Sequence, residues 1–467
     1  QVKQRDSSFH ATEREGSGAG GVSKDFTVSA QETTFISRNL PAIRQDESYC
    51  WCPEDYKVQV SFDLQGTQFT PNEYKPYSQK WEDVDKQLLK PENTQFGEHL
   101  SLTNPFRPET KQAYNSEMNF EEKIICAFQV LKKKMAWNGR YQLYSKELEK
   151  VIKKGSGSNA DLNFILISIL KDFGLEAYPV VMSRRSSGML PYNFPSLQKL
   201  NTFFVAIHDI NKQKYVFLDS SMDVPAFNIL PLELSVNKAR MLSLKEKEEK
   251  KWVNVMALSH NKSFMKIDAR IEGNQVKGHR STVLYGQEAI EYQANENHKQ
   301  DNLVSNPENK VSQKEKLTVT NLKVKKQEND WALIEEEFDF VLQADRTDDH
   351  LYINPMLFPQ LKSNPFIQTE RVLPIEFPYP YKFTMLSTLT LPEGYEVEEL
   401  PQSQSIRSEG DGLQCKYMIQ QQGNTILLNY VFHLKGYIFL SEQYKQLQEL
   451  WAKVIEKNNA LIVLKKI

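Results

Sequence analysis

Four cysteines in 467 residues is little sulfur, and its placement matters more than its number: Cys50, Cys52, Cys126 and Cys415 leave the whole stretch between 126 and 415 without a thiol. The four repeat no zinc-ligand spacing, so no metal site is expected from them. Cys50-Trp51-Cys52 would put two thiols on one face of a strand. A bond between them would be strained, so the cysteines leave the redox compartment open. Histidine is scarce too, at 8 residues, and His208 is alone between His99 and His260. Charge of one sign is missing. With 58 Lys plus Arg against 60 Asp plus Glu, no global field attracts nucleic acid or an anionic membrane. No apolar run approaches the ~18–20 residues of a membrane span. No repeat with a period of about 20–50 residues is visible. Gly16-Ser17-Gly18-Ala19-Gly20-Gly21 spells G-x-G-x-x-G. It has no apolar strand before it and no helix pattern after it, so it reads as a loose loop or hairpin end, and no cofactor is expected. The chain opens on Gln1 rather than Met, so the expectation is that its native start lies elsewhere and that a missing leader says nothing of the compartment.

Aromatic residues, by contrast, are plentiful: 25 Phe, 20 Tyr and 6 Trp can fill several cores, and the length suits about three domains. Residues 1–25 look loose and 26–64 read as β, most clearly at Tyr56, Val58, Val60, Phe62 and Leu64, which alternate with a period of two. From about 78 the period becomes helical, with Trp81, Val84, Leu88 and Leu89 on one face. Asn119 and Glu122, then Ser158 and Asp161, have capping-box spacing and open helices over 119–136 and from 158 to Phe173, with Gly174 as the stop. Strands follow over 176–183, 202–208 and 214–219, the last two as a hairpin around Asp209-Ile210-Asn211-Lys212-Gln213. The run Lys245–Lys251 reads as a solvated link at a domain edge, and 295–316 as a polar loop. Beyond it Ile334, Phe338 and Phe340 line one strand face, with Glu335, Glu337 and Asp339 on a wet opposite face. Gly423-Asn424 joins two alternating strands, a helix spans about 441–457 and a strand closes the chain at Leu461–Leu464.

One constellation has the outline of a nucleophilic site. A glycine-rich turn, Gly155-Ser156-Gly157, feeds a helix N-terminus, where unpaired N–H groups would favour a thiolate. Asp219 ends a later hairpin, where it would orient a base on the neighbouring strand. The segments Gly157-Ser158-Asn159-Ala160-Asp161-Leu162-Asn163, Gly174-Leu175-Glu176-Ala177-Tyr178-Pro179-Val180, Leu200-Asn201-Thr202 and Leu218-Asp219, in that order, resemble the transglutaminase-like core. More narrowly they resemble bacterial envelope proteins in which that core lies between β-sandwich domains of unknown function. Pro53-Glu54-Asp55-Tyr56 resembles the end of the leading β-domain, and Pro374-Ile375-Glu376-Phe377-Pro378-Tyr379-Pro380 with Leu391-Pro392-Glu393-Gly394-Tyr395 resembles the trailing one. The resemblance implies an α+β fold, a papain/transglutaminase-like core flanked by antiparallel β-sandwich domains. Its divisions would be 1–65 (the end of an N-terminal β-sandwich), 66–250 (the core) and 251–467 (a C-terminal β-rich part with one late helix).

The departures decide the chemistry. Active members carry Cys where this chain has Asn159 and His where it has Thr202; of the three, Asp219 remains. A serine beside the lost thiol, Ser158, needs a base, and with 208 facing 214 across the turn His208 lies too far along the ladder for Asp219 to orient it. Ser158 then reads as an N-cap, and Asp219 as bonded to Thr202 or a backbone N–H. The degenerate site is Ser158, Asn159, Asp161, Thr202 and Asp219, and no catalytic residue is assigned. Trp137 and Tyr178 read as buried core. Tyr192 and Phe194, between two prolines, would stack on a ligand; Arg184 and Arg185 would clamp a carboxylate or make surface ion pairs. Asp345, Asp348, Asp349 and His350 lack calcium-loop spacing and read as a solvated turn. The expectation is a non-catalytic periplasmic or outer-membrane-associated protein whose partners are other envelope proteins or a peptide or polymer held in the retained cleft, with neither nucleic acid nor cofactor. The alternatives are a cryptic acyl-transfer or peptide-hydrolase enzyme, and a purely structural subunit pairing through its β-domains.

Overall fold

A computed structural model describes residues 2–15, 22–40, 42–44, 47–60, 66–68, 74–76, 80–92, 94–193, 195–258, 260–302, 317–327 and 330–467. It divides into two units, Gln1–Asp46 and Glu47–Ile467. In the first, strands Val2–Glu15 and Val22–Phe35 pair antiparallel from Val2 opposite Phe35 to Glu15 opposite Val22. The expected looseness of residues 1–25 therefore gives way to a long ribbon rich in Thr, Val and Ser. The glycine run, 16–21, lies outside the described residues.

The second unit is a mixed α+β structure with several sheets. Its first half centres on a five-stranded antiparallel sheet in the order 252–253, 239–241, 177–182, 202–209, 214–218. The helix Asn159–Asp172 lies in the core on one side of it. From Asn159 to Leu170 every side chain is buried, so the helix is packed all round rather than on the single stripe its apolar spacing suggests. Both capping boxes form as the spacing predicts, on Asn119 with Glu122 and on Ser158 with Asp161. Gly174 ends the second helix at φ 75°, with the Leu175 N–H donating to the Leu170 carbonyl.

The second half is built on an eight-stranded sheet in the order 317–327, 330–343, 275–285, 262–272, 381–390, 425–434, 413–422, 404–407. All its neighbours are antiparallel except 262–272 with 381–390, which run parallel. The strand Lys262–Glu272 alternates exposed and buried residues along its whole length, as period-two patterning requires. Its inner face shares a core with the small sheet containing 350–353 and 462–466 and with the helix Tyr444–Asn458 through Leu447, Trp451 and Val454. The acidic row of 330–343 is wet, as expected: Glu337 pairs with Lys323, Glu335 with Lys325, and Asp339 with His279.

Several expectations need correction. No strand forms over 57–60, and Pro53–Tyr56 is a short 3-10 turn; residues 61–65 lie outside the described set. The cause is a distant anchor: the Trp51 N–H and the Tyr56 hydroxyl both donate to the Glu376 carboxylate, at 2.9 and 2.6 Å. Residues 287–302 form a helix, so the expected loop at 295–316 begins inside it. The run at 245–251 is not simply solvated. Arg240, fully buried, meets Asp85 through Nε (2.6 Å) and Nη2 (2.7 Å), and its Nη1 meets Glu248 at 2.6 Å. Lys251 donates to Asp85 at 3.0 Å, and the guanidinium lies over the Trp252 ring. Trp252–Val253 is still a strand of the five-stranded sheet, so that sheet runs past the expected edge at 250.

The cluster sets up a stability test. Asp85→Ala leaves a buried guanidinium short of its bidentate acceptor and is expected to cost about 3–5 kcal/mol of unfolding free energy in a denaturant titration. A loss below about 1 kcal/mol would mean the charges are rehydrated rather than held.

Candidate functional site

The residue at the helix start and those at one end of the central sheet meet in a closed polar knot. Gly157 brings the chain in tightly: a Cβ there would stand 2.6 Å from Val151 Cγ1 and 2.9 Å from Asp161 Cβ. Ser158 then caps the helix. Its backbone N–H and hydroxyl donate to Asp161 Oδ2 at 2.8 and 2.7 Å, and the Asp161 N–H donates back to the Ser158 hydroxyl at 3.3 Å. The hydroxyl is thus committed to a carboxylate of its own turn.

Asn159 points from the first turn of the helix to the sheet. Its Nδ2 donates to Thr202 Oγ1 at 2.8 Å and to the Phe203 carbonyl at 3.0 Å, with Asp219 Oδ2 at 3.5 Å; its Oδ1 accepts the Gln142 N–H at 3.0 Å. Asn163, one turn on and on the same face, donates to the Phe203 carbonyl at 2.8 Å and to Asp219 Oδ2 at 2.9 Å. Its Oδ1 accepts the Ser220 N–H at 3.0 Å and the Ser220 hydroxyl at 2.5 Å. Asp219 Oδ1 takes the Ser221 N–H at 2.9 Å and the Ser221 hydroxyl, which also meets the Tyr141 hydroxyl at 3.3 Å. Asn159, Thr202, Asn163 and Asp219 are each at most 1% exposed, so no open notch lies among them. Burial pushes the Asp219 carboxyl above its ordinary range, and the bonds from Ser221 and Asn163 pull it back down.

The sequence places Asn159, Thr202 and Asp219 together, and the structure does so too. Asp219 does bond a backbone N–H; its expected alternative, Thr202, reaches it only through the Asn159 amide. The hairpin register is one residue off the expectation: His208 faces Tyr215, so Asp219 lies past the last pair, Val205 with Leu218. His208 stacks on Tyr215 and faces Glu176 at 3.6 Å. His99 holds the Ser145 carbonyl at 2.9 Å, and His260 is exposed. No histidine hydrogen-bonds Ser158 among the described residues. Asn163, Ser220 and Ser221 escaped the sequence reading, although the four-residue step from Asn159 to Asn163 on a helix was the available signal.

The remaining candidates lie elsewhere. Arg185 makes no surface ion pair among the described residues. Its Nη1 and Nη2 donate to the Pro378 and Phe377 carbonyls at 2.8 and 2.7 Å, and it lies over the Trp51 ring at 4.4 Å. Arg184 faces Glu233 at 3.7 Å. Tyr192, half exposed, packs on Trp252 and carries Lys238 over its ring at 4.5 Å. Phe194 lies outside the described residues. Trp137 is only part-buried and donates to the Arg140 carbonyl, so it is less a core residue than expected. His350 meets Glu398 at 2.9 Å rather than the neighbouring aspartates. Burial disfavours the thiolate at all four cysteines: it pushes Cys50 up to about 12 and Cys415 to about 11, and raises Cys52 and Cys126 as well.

Residues 349–464 match a family described as a domain of unknown function with a solved structure, DUF3858. Among solved structures the chain is similar to a protein of Parabacteroides distasonis described as a "putative protease". The two share 12% of residues over 99% of this chain and 70% of that one, with a TM-score of 0.52, so the likeness is one of fold. No curated protein matches the sequence.

Asn159→Ala would take the donor from the Thr202 hydroxyl and the acceptor from the Gln142 N–H, while the Phe203 carbonyl and Asp219 keep their bonds from Asn163. It is expected to lower unfolding free energy by about 2–4 kcal/mol, since each buried polar group left unmatched costs about 1–3 kcal/mol. A change below about 0.5 kcal/mol in denaturant unfolding would show that the knot does not fasten the helix to the sheet.

Proposed function

We propose that residues 66–250 are a catalytically degenerate transglutaminase-like core set between β-rich regions, in a protein that binds or scaffolds partners without cleaving or crosslinking them. The observation that carries this reading is the Asn159 amide, at the position where the resemblance puts a nucleophile: its donors are spent on Thr202 and the Phe203 carbonyl. Acyl transfer needs a nucleophile with a base in reach, and the described residues around Asp219 supply neither thiol nor imidazole. The closed knot also moves any binding away from that point. On this reading the partners are other envelope proteins or a peptide or polymer, and the compartment is the periplasm or the outer-membrane surface, as the resemblance implies. The β-sandwich character of the flanks belongs to the same proposal.

Incubated with an amine donor and a glutamine-containing protein, or with peptides alone, the chain is expected to give no time-dependent crosslinked or cleaved product. Product formation that disappears in Ser158→Ala would overturn the reading in favour of a serine-dependent enzyme.

A second reading, a structural subunit that pairs through β-regions, draws on the Gln1–Asp46 unit. Its two strands of 14 residues have only each other as partners among the described residues. A two-stranded ribbon alone is marginal in water, and each strand has one edge with no further strand on it among the described residues. A stoichiometric complex copurifying from membranes and unaffected by Tyr192→Ala would favour that role; its absence would count against it.

A further inference from the structure

A cavity of about 70 Å³ opens beside the loop that follows strand 177–182, where residues 52–55, 183–190, 235–238, 376 and 437–438 converge. Its walls are largely aliphatic: Met189, Leu190, Val236, Met256 and Ile438. Met189 and Ile438 are about half exposed, so they stand at its mouth. Two carboxylates line it, Asp55 and Glu376, and neither is ion-paired among the described residues. Glu376 has its two oxygens occupied by the Trp51 N–H and the Tyr56 hydroxyl. Asp55 is less committed. Its Oδ2 accepts the Met189 N–H at 2.7 Å, while its Oδ1 lies against Gly188, whose φ of 92° and lack of a side chain let the loop come that close.

The cations nearby are placed otherwise. Arg185 is held by the Phe377 and Pro378 carbonyls and by the Trp51 face. Lys238 lies exposed on the rim over Tyr192, and Lys199 acts on Asp55 only from beyond ion-pair distance. A further sign comes from Ser183, which lines the same cavity, is 2% exposed, and has no hydrogen-bond partner for its hydroxyl among the described residues. A buried hydroxyl is rarely left so.

We propose that this cavity binds a lysine side chain of a partner peptide, with the ammonium on Asp55, the methylenes along Met189 and Ile438, and the Ser183 hydroxyl bonded to the entering peptide. An aliphatic stem carrying one cation at its end matches apolar walls that lead to a carboxylate with spare acceptor capacity. Burial holds the Asp55 carboxyl above its ordinary range, and a docked ammonium would draw it back down. The proposal does not rest on the inertness of the Asn159 knot, and its failure would leave that reading intact.

The test uses the full chain with methyl-labelled methionine, titrated with N-acetyl-lysine-N′-methylamide, the norleucine equivalent, and cadaverine. The lysine compound is expected to shift the Met189 and Met256 methyl signals saturably, and norleucine to bind at least about tenfold more weakly for want of a charge-assisted bond. Asp55→Asn should lower lysine affinity by about tenfold. Lys238→Glu, a change at an exposed rim residue, should raise it about threefold at low salt. Equal binding of lysine and norleucine, the absence of any saturable shift, or unchanged affinity in Lys238→Glu would overturn the proposal. Cadaverine binding tighter than blocked lysine would overturn the peptide as occupant. Unchanged melting temperatures in both variants are the check that affinity, rather than folding, is being read.

Discussion

A carboxylate out of reach of water has to be surrounded by donors, and Asp219 imposes that condition on the centre of the molecule. Two of its donors are asparagines one helical turn apart, and the others come from Ser221 beside it. Because Asn159 and Asn163 also share the Phe203 carbonyl, the rotation of the helix and the end of the sheet are fixed by the same few bonds. A reactive site of this geometry needs at least one group left over for substrate. In the knot around Asp219 the side chains use their capacity on one another, which favours rigidity.

Local features of the fold were legible in the sequence wherever they are set within a few residues. Both capping boxes, the stop at Gly174, the hairpin at 202–218 and the turn at Gly423-Asn424 follow from short-range chemistry, and the structure has each of them. What failed was of longer range. At the start of the 56–64 alternation the pattern gives way to Glu376, which lies 320 residues from Tyr56 and holds the end of the Pro53–Tyr56 turn. The charge run at 245–251 is exposed over most of its length, as a solvated link should be, but its last residue departs from that reading because Asp85, 166 residues away from Lys251, gives it a buried partner. Periodicity reports which face of an element is apolar; it carries no information on which distant charge will meet it.

Within the site the same division holds. Proximity of Asn159, Thr202 and Asp219 followed from the order of motifs, whereas the direction of each hydrogen bond did not. A one-residue change of register left Asp219 beyond the last ladder pair, and a side chain there is free of the sheet's alternation and can turn toward the helix. Ser220 and Ser221 could take their places as donors only because of that freedom. Nothing in their spacing distinguishes them from ordinary turn residues.

The polar clusters of this half of the chain differ in one physical respect. Around Asp219, and likewise around Arg240, donors and acceptors are matched to one another, so a ligand entering either would have to displace an existing bond at a cost of the same order as the one it forms. At the 183–190 loop, as at Asp161 Oδ1 beside the helix start, the balance is incomplete among the described residues: the buried Ser183 hydroxyl has no partner, and Asp55 keeps an oxygen unbonded beside apolar walls. Recognition draws on such unspent capacity, since a bond made to it replaces only water. Under the reading proposed above, with the chemistry of the helix start given up, the capacity for binding that folding has left open lies on the loop beyond the next strand.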